Sequence, residues 1–144
     1  MFIGTYQHNL DAKGRIIIPS KFRGELNSTF ILAEGYDGCL TIYSTVQWER
    51  LAEEINKLPT TKKDARKYIR TLTSTANECS LDNQGRIQIP AFLAKPKNIT
   101  KECYVIGVND HVEIWDKATW DAYYLDASSN FEEVAENLSE LSND

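Results

Sequence analysis

Alternating apolar and polar residues, followed by apolar residues at helical spacing, dominate the first part of the chain. In residues 15–19, Ile16 and Ile18 occupy alternate positions, so they share one face of a predicted strand and should point into the core. A predicted helix follows Ser44, which forms a capping-box pattern with Gln47 three residues later. Its apolar residues are spaced by three or four positions: Trp48, Leu51, Ile55 and Leu58. The pattern predicts a unit of short strands followed by a helix.

This unit occurs twice. Residues 10–19 read LDAKGRIIIP and residues 81–90 read LDNQGRIQIP, which places a second Asp-x-x-Gly-Arg motif 71 positions after the first. Residues 30–43 and 103–115 also match, at an offset of 72. Two matching blocks whose offsets differ by one residue indicate a tandem duplication. We call the two halves copy one and copy two.

Each motif predicts a tight turn. An aspartate at the first turn position can accept hydrogen bonds from the backbone two residues later, and the glycine supplies a positive φ. The residues in these structural roles are Asp11, Gly14, Asp82 and Gly85. The flanking residues read as the two strands of a local hairpin, and the proline after each motif ends the outgoing strand.

The outer face of the strand after each turn carries the arginine of the motif. Arg15 shares this face with Ile17, and Arg86 shares it with Gln88. The difference between isoleucine and glutamine predicts that the face is covered in copy one and more hydrated in copy two.

The fold class predicted from these elements is α+β. Four short strands in one copy would leave open edges, which favours pairing with the other copy. We therefore expect one β-barrel built from both copies, interlocked about a pseudo-twofold axis and flanked by helices. That symmetry would place Arg15 and Arg86 at equivalent positions on one body.

The charge of the chain is unevenly distributed. The net charge is −5, but residues 110–144 carry ten acidic residues and one lysine, so residues 1–109 carry +4. Between the copies, apolar residues at helical spacing predict a helix, and its other face holds Lys62, Lys63, Arg66, Lys67 and Arg70. This basic face is either a solvated helix surface or a surface for phosphate or an acidic neighbour.

The C-terminal residues predict an acidic amphipathic helix. Its apolar stripe consists of Phe131, Val134, Leu138 and Leu141. The stripe could pack on its own barrel or on a neighbouring subunit. A basic and an acidic helix in one chain would favour head-to-tail contacts, which close into rings when the rotation allows.

The residues that could support catalysis or metal binding are few. Three cysteines without a C-x-x-C pair argue against a disulfide framework and a zinc site. His8 reads as structural and His111 as a turn residue, and turn chemistry already accounts for both motif aspartates. No nucleotide-binding or hydrolase motif occurs, so we expect no enzyme, cofactor, metal or small-molecule substrate. Neither a signal peptide nor a membrane helix is predicted, which indicates a cytoplasmic protein.

The arginine of each motif is the residue that turn formation leaves unexplained. One interpretation is an ion pair with the aspartate four residues earlier, which contributes only about 0–1 kcal/mol when exposed. The other is recognition, because a guanidinium can contact guanine O6 and N7, or phosphate, in a bidentate manner. Lys13 adds charge at the first turn, where copy two has Gln84.

Three stretches of the sequence carry a resemblance to a known family: MFIGTYQHNLDAKGRIIIPSKFR, DARKYIRTLTSTANECSLDNQGRIQIP and VIGVNDHVEIWDKATWDAY. On these residues the chain resembles the MraZ family, part of the AbrB/SpoVT superfamily of swapped-hairpin β-barrels. The resemblance implies a nucleoid-associated bacterial transcription regulator that forms rings and binds short direct repeats upstream of the division and cell-wall gene cluster, including its own promoter. By position, the DNA-contacting residues would be Arg15, Arg86, Lys13, Lys21 and Arg23. Copy two departs from the family pattern at Ala94, where members usually have an arginine.

These observations predict four segments: a first repeat at 1–58, a basic connecting helix at 59–77, a second repeat at 78–125 and an acidic helix or tail at 126–144. The predicted function is sequence-specific binding of double-stranded DNA by a homo-oligomer, with no membrane contact. The alternative is an oligomeric protein-interaction scaffold whose arginines contact an acidic partner.

Overall fold

A computed structural model describes residues 1–142, with side chains through Ser139. The strands are β1 (Phe2–Asn9), β2 (Arg15–Ile17), β3 (Thr29–Glu34), β4 (Leu40–Ser44), β5 (Asn77–Ser80), β6 (Arg86–Gln88), β7 (Glu102–Asn109) and β8 (His111–Asp116). The α-helices are α1 (Ser20–Leu26), α2 (Thr45–Asn56), α3 (Lys63–Thr75), α4 (Ala91–Ala94), α5 (Lys117–Ser129) and α6 (Phe131–Ser142). A 3-10 turn, Lys95–Lys97, follows α4. Within this described part, no helix combines the length and apolar character needed to cross a membrane.

The strands form a six-stranded antiparallel sheet and a separate two-stranded ribbon. The sheet has the order β1-β7-β8-β4-β3-β5, and the ribbon, here called the motif ribbon, pairs β2 with β6. When each strand is replaced by its equivalent in the other copy, the same sheet order is obtained, read from the opposite edge. This is the pattern expected of a twofold axis. The prediction of an α+β fold with interlocked, pseudo-twofold-related copies is confirmed.

Strands are exchanged between the copies on both sides of the sheet. The first strand of copy one, β1, pairs with β7 of copy two, and β5 of copy two pairs with β3 of copy one. The local-hairpin prediction was therefore wrong, since the strands that flank each turn pair with the other copy. The pseudo-axis passes between Thr41 and Glu113 in the sheet and between Ile16 and Ile87 in the ribbon, where each pair is in register.

The expected closed barrel is not formed by residues 1–142. Strands β2 and β6 are three residues long, and each has the other as its strand partner, so no ladder joins the motif ribbon to the sheet. Pro19 and Pro90 lie two residues after the ends of these strands, and a proline cannot donate to a ladder. The ribbon instead covers one face of an open sheet.

The core lies between the motif ribbon and the sheet. The inner face of the ribbon is buried as predicted, with Ile16, Ile18, Ile87 and Ile89 at most 3% exposed. They belong to one apolar cluster with Phe22, Phe30 and Leu32. On the outer face, both Ile17 and Gln88 are exposed, so the prediction of a covered face in copy one was wrong.

Helices α2, α3 and α5 cover the opposite face of the sheet, and α2 and α5 begin at the predicted caps. Ser44 Oγ accepts the Gln47 N–H at 3.2 Å at the start of α2, and Asp116 Oδ2 accepts the Thr119 N–H at 3.0 Å at the start of α5. Helix α3, in the predicted connecting segment, buries Leu72 against Ala33. On the copy-two side, Trp120 of α5 packs against Trp115 with ring centroids 5.0 Å apart.

The C-terminal helix α6 lies apart from this core. Phe131, Val134 and Leu138 are exposed to between 46 and 72%. These three residues do not pack on the sheet of their own chain, which was one of the two expected arrangements. The side chains of Leu141 and Glu140 lie outside the described residues.

The exchange of β1 depends on the absence of a side chain at Gly107. A Cβ there would meet the backbone nitrogen of Ile3 and lie 2.6 Å from the carbonyl carbon of Phe2, atoms that cannot move without shifting the strand. We expect Gly107→Ala to lower the free energy of unfolding by about 1–3 kcal/mol, measured by urea denaturation followed by tryptophan fluorescence.

The matched control is Gly24→Ala in α1, where an added Cβ meets nothing within 4 Å. This change should raise the free energy of unfolding by about 0.5–1 kcal/mol, because alanine favours a helix interior. Equal unfolding midpoints for Gly107→Ala and the wild type would contradict the close approach of β1 and β7.

Candidate nucleic-acid interface

The first Asp-x-x-Gly-Arg motif folds into a turn organised by the carboxylate of Asp11. Its Oδ1 accepts the backbone N–H groups of Lys13 and Arg15, both at 2.9 Å, and its Oδ2 accepts Arg15 Nε at 2.8 Å. The Gly14 N–H closes the turn on the Asp11 carbonyl at 3.0 Å, with φ of 78° at the glycine. A side chain on that residue would be strained in this left-handed region.

The second motif repeats this geometry. Asp82 Oδ1 accepts the N–H groups of Gln84 and Arg86 at 2.9 Å, and its Oδ2 accepts Arg86 Nε at 2.8 Å. Gly85 has φ of 77° and donates to the Asp82 carbonyl at 3.0 Å. In both motifs the aspartate therefore accepts two backbone N–H groups, and the glycine has a positive φ.

Both carboxyl groups are held in the ionised form. The backbone N–H of Arg15 has the largest effect and lowers the pKa of Asp11 below its ordinary value. Desolvation opposes this effect, and the Arg15 guanidinium and the Lys13 N–H add to the lowering. The pKa of Asp82 is lowered in the same way by the backbone N–H and the guanidinium of Arg86. Each turn therefore presents a carboxylate that fixes its arginine.

The motif ribbon brings the two turns together on one surface. In the β2–β6 pairing, Arg15 stands opposite Gln88 and Ile17 stands opposite Arg86. A backbone hydrogen bond also connects copy one to the second turn, because the Ile18 N–H donates to the Gly85 carbonyl at 2.9 Å. As a result, Arg86 Nη1 lies 3.7 Å from Asp11 Oδ2, the same oxygen that accepts Arg15 Nε.

Both arginines keep unused donors on the outer face of the ribbon. Their side chains are 30% and 21% exposed for Arg15 and Arg86. A guanidinium has five N–H donors, and the ion pair with the motif aspartate uses the Nε donor in each case. The predicted intramolecular ion pair is therefore present and orients each arginine through Nε, and Arg86 Nη1 also lies 3.7 Å from Asp11 Oδ2.

The other predicted DNA-contacting residues fall into two groups. Lys13 and Lys21 are exposed, at the first turn and on α1. Arg23 instead belongs to the second turn, because its Nε donates to the Ile18 carbonyl at 2.8 Å and its guanidinium lies against Gly85. No local pattern in the sequence could indicate this contact, since the two residues belong to different copies.

The position of copy two that corresponds to Arg23 has no side chain long enough to cover the first turn. Ala94 stands where an arginine would reach Gly14, and a groove of about 440 Å³ lies there between Lys13, Lys95 and Ile89. The two turns thus have the same backbone but different neighbours.

The basic face of α3 is not part of this surface. Helix α3 packs over Ala33, whereas the motif ribbon packs with Leu32, and successive strand residues point to opposite faces. Lys62, Lys63, Lys67 and Arg70 are exposed there, and Arg66 Nη1 donates to the Thr60 carbonyl at 2.8 Å.

The histidines and cysteines lie outside the interface turns. Burial raises the pKa of the Cys39 thiol to about 12 and that of Cys103 to about 11, so both stay protonated. Burial lowers the pKa of His8, and Arg23 adds to this effect. In the described part of the chain, no three of the histidine, cysteine and acidic side chains are grouped so that they could hold a metal ion.

A comparison with protein families agrees with the internal repeat. One family model, described as "MraZ protein, putative antitoxin-like", matches the chain twice, over residues 1–71 and 72–141. The boundary between the two matches falls within α3. Because the two matches together cover nearly the whole sequence, the chain belongs to the MraZ family.

Proposed function

We propose that this protein is a sequence-specific DNA-binding transcription regulator that contacts double-stranded DNA through the motif ribbon. Membership of the MraZ family supports a regulator-like role in general. The observation that carries the specific proposal is the pair of oriented arginines, Arg15 and Arg86, whose nitrogens lie within 3.7 Å of one Asp11 oxygen on an exposed face. Their juxtaposition contributes nothing to the buried core.

A two-stranded β-ribbon is one of the elements that proteins place in the major groove of DNA. That groove admits a two-stranded β-ribbon, and an arginine can donate to guanine O6 and N7 there. Because Asp11 and Asp82 hold the Nε edges, the remaining edge of each guanidinium is already oriented. Less side-chain entropy is then lost on binding.

The two ends of the ribbon are chemically different. Lys13 and Ile17 of copy one correspond to Gln84 and Gln88 of copy two, and all four residues are exposed. A symmetric protein surface favours a palindromic site, whereas this surface presents different side chains to its two halves. Short direct repeats, which the family resemblance implies, are compatible with a DNA-binding surface of this kind.

The proposed target is the promoter region of the division and cell-wall gene cluster, including the protein's own gene. This choice rests on the family resemblance. Two arginine contacts would be insufficient for a regulator, since one good base contact discriminates by about 1–3 kcal/mol. Several copies on one assembly would add avidity at repeated sites.

We expect Arg15→Ala and Arg86→Ala each to weaken binding to the upstream region of the gene by about fivefold or more, since a lost bidentate base contact costs about 1–3 kcal/mol. Fluorescence anisotropy with a labelled duplex measures this. The surface ion pair lost in each variant is worth only about 0–1 kcal/mol, so the fold should persist.

The matched control is Arg50→Ala, which removes an exposed arginine from α2 and should leave affinity unchanged. Unaltered affinity in both single variants and in the double variant would refute the role of the motif ribbon.

We expect Lys13→Ala to weaken binding to specific and unrelated duplexes by similar factors, because a lysine contacts phosphate. The slope of log K against log[salt] should become shallower by about 1. The control is Gln84→Ala, its counterpart at the second turn. Duplex binding by the wild type that does not weaken with salt would count against phosphate contacts in general. An equal slope in the wild type and in Lys13→Ala would reject the contact of Lys13 with phosphate.

We further propose that the protein forms a closed homo-oligomer through α6. The exposed Phe131, Val134 and Leu138 support this, because an apolar stripe without a partner in its own chain favours burial against a neighbour. Native mass spectrometry at micromolar concentration should give a multiple of the protomer mass. The double variant Phe131→Ser with Leu138→Ser should shift the mass toward the monomer, and Glu136→Gln should not. A monomeric wild type would end this proposal.

A further inference from the structure

A pocket of about 300 Å³ lies on the helix-covered face of the sheet, away from the motif ribbon. We call it the tyrosine pocket. It opens between α3 and the strands beside the pseudo-axis, and the lining residues that matter here are Glu34, Tyr36, Tyr43, Tyr68, His111 and Glu113. This volume is at the lower end of the range typical of small-molecule sites.

The pseudo-symmetric counterpart of the tyrosine pocket is filled with apolar side chains. At the offset of 72, Glu34 corresponds to Ile106, Tyr36 to Val108, and His111 to Cys39. On the copy-two side, Cys39, Ile106 and Trp115 form a buried cluster with Val108 and Trp120 packed on it. The same backbone framework can therefore be closed by apolar residues, so packing alone does not explain the polar residues on the copy-one side.

The charges around the tyrosine pocket favour a cation. Among the residues that the structure describes, no lysine or arginine lines the pocket. Lys97 lies nearby and is paired with Glu34 at 2.8 Å. His111 is held between Asp110, at 2.7 Å, and Glu113, at 2.9 Å. Glu113 uses its other oxygen to accept Trp115 Nε1 at 3.0 Å. Even with His111 protonated, the three carboxylates of Glu34, Asp110 and Glu113 exceed the cations Lys97 and His111 by one charge. This excess of negative charge disfavours phosphates and carboxylates as ligands.

The pKa of His111 agrees with this acidic surrounding. Burial acts to lower the pKa, but hydrogen bonds to Glu113 and Asp110 outweigh it and raise the pKa above its ordinary value. The net effect shows that the local carboxylates stabilise positive charge at the edge of the pocket.

Aromatic rings provide the walls. The hydroxyl groups of Tyr36 and Tyr68 lie 3.0 Å apart and connect the β3–β4 loop to α3 across the mouth of the pocket. Tyr43 lines it from the strand side and is half-buried. An aromatic face attracts a cation most strongly where water is partly excluded.

We propose that the tyrosine pocket binds a small organic cation, an amine or amidine with a flat apolar body, between the tyrosine rings and the carboxylates of Glu34 and Glu113. The site is independent of the proposed DNA contact, because the pocket and the motif ribbon lie on opposite faces of the sheet. A bound ligand would tie the connecting helix α3 to the sheet.

Benzamidine is a suitable probe, since it joins a planar cation to an aromatic ring. Isothermal titration calorimetry on the full chain should show saturable binding of one benzamidine per protomer. Benzamide and benzoate have nearly the same shape but no positive charge, so they should bind at least tenfold more weakly, as expected when a hydrogen bond to a charged group is lost.

Two variants localise the site. Glu113→Gln keeps the shape of the side chain and removes its charge, and it should weaken benzamidine about tenfold. Thr71→Trp, on the rim of the pocket, should block it without touching any carboxylate. Glu53→Gln removes an exposed carboxylate from α2 and is the control. Circular dichroism and the unfolding midpoint show whether each variant is folded.

Three results would overturn the proposal: no saturable benzamidine binding, equal binding of benzoate, or full binding by both Glu113→Gln and Thr71→Trp. None of these depends on DNA. The result obtained with the arginine variants would not affect the proposal for the tyrosine pocket. Failure of benzamidine to bind would not affect the proposed DNA contact.

Discussion

The antiparallel pairing of β2 with β6 is the constraint on which the interface depends. Three residues from each copy meet in register about Ile16 and Ile87, whose side chains enter the core. A shift of one residue would turn the buried isoleucines outward and the arginines inward. Burial of the isoleucines therefore fixes which face carries Arg15 and Arg86, and the exchanged strands β1 and β5 hold the two copies around that ribbon.

Short sequence patterns were sufficient to predict the turns. They were not sufficient to predict contacts between residues that lie far apart in the chain. Asp11 and Gly14 determine their turn through contacts within five residues, as Ser44 determines the start of α2. The partner of β1 lies about a hundred residues away, and no short pattern encodes it. The barrel prediction failed for a related reason. Closure depends on the length of β2 and β6, which their hydrophobic alternation does not reveal.

The residues of the candidate interface could be predicted from the sequence, but their arrangement in space could not. The repeated Asp-x-x-Gly-Arg pattern identified Arg15 and Arg86, because turn formation does not require the arginine. The approach of Arg86 to Asp11, and of Arg23 to Gly85, arises from strand exchange. The tyrosine pocket had no sequence signal of its own. It becomes visible when Glu34 and Tyr36 are compared with Ile106 and Val108, which requires the structure to show that the second set is packed.

The same comparison explains why the two turns should not be treated as equal. Arg23 of copy one rests on Gly85 and donates to the Ile18 carbonyl, so the second turn is supported by a side chain from the other copy. Ala94 gives the first turn no such support, and an open groove remains beside Gly14. Each turn therefore has a cation besides its motif arginine, Lys13 at the first turn and Arg23 at the second. The ribbon is directional because these two cations differ: Lys13 is exposed, whereas Arg23 is fixed by its hydrogen bond to the Ile18 carbonyl.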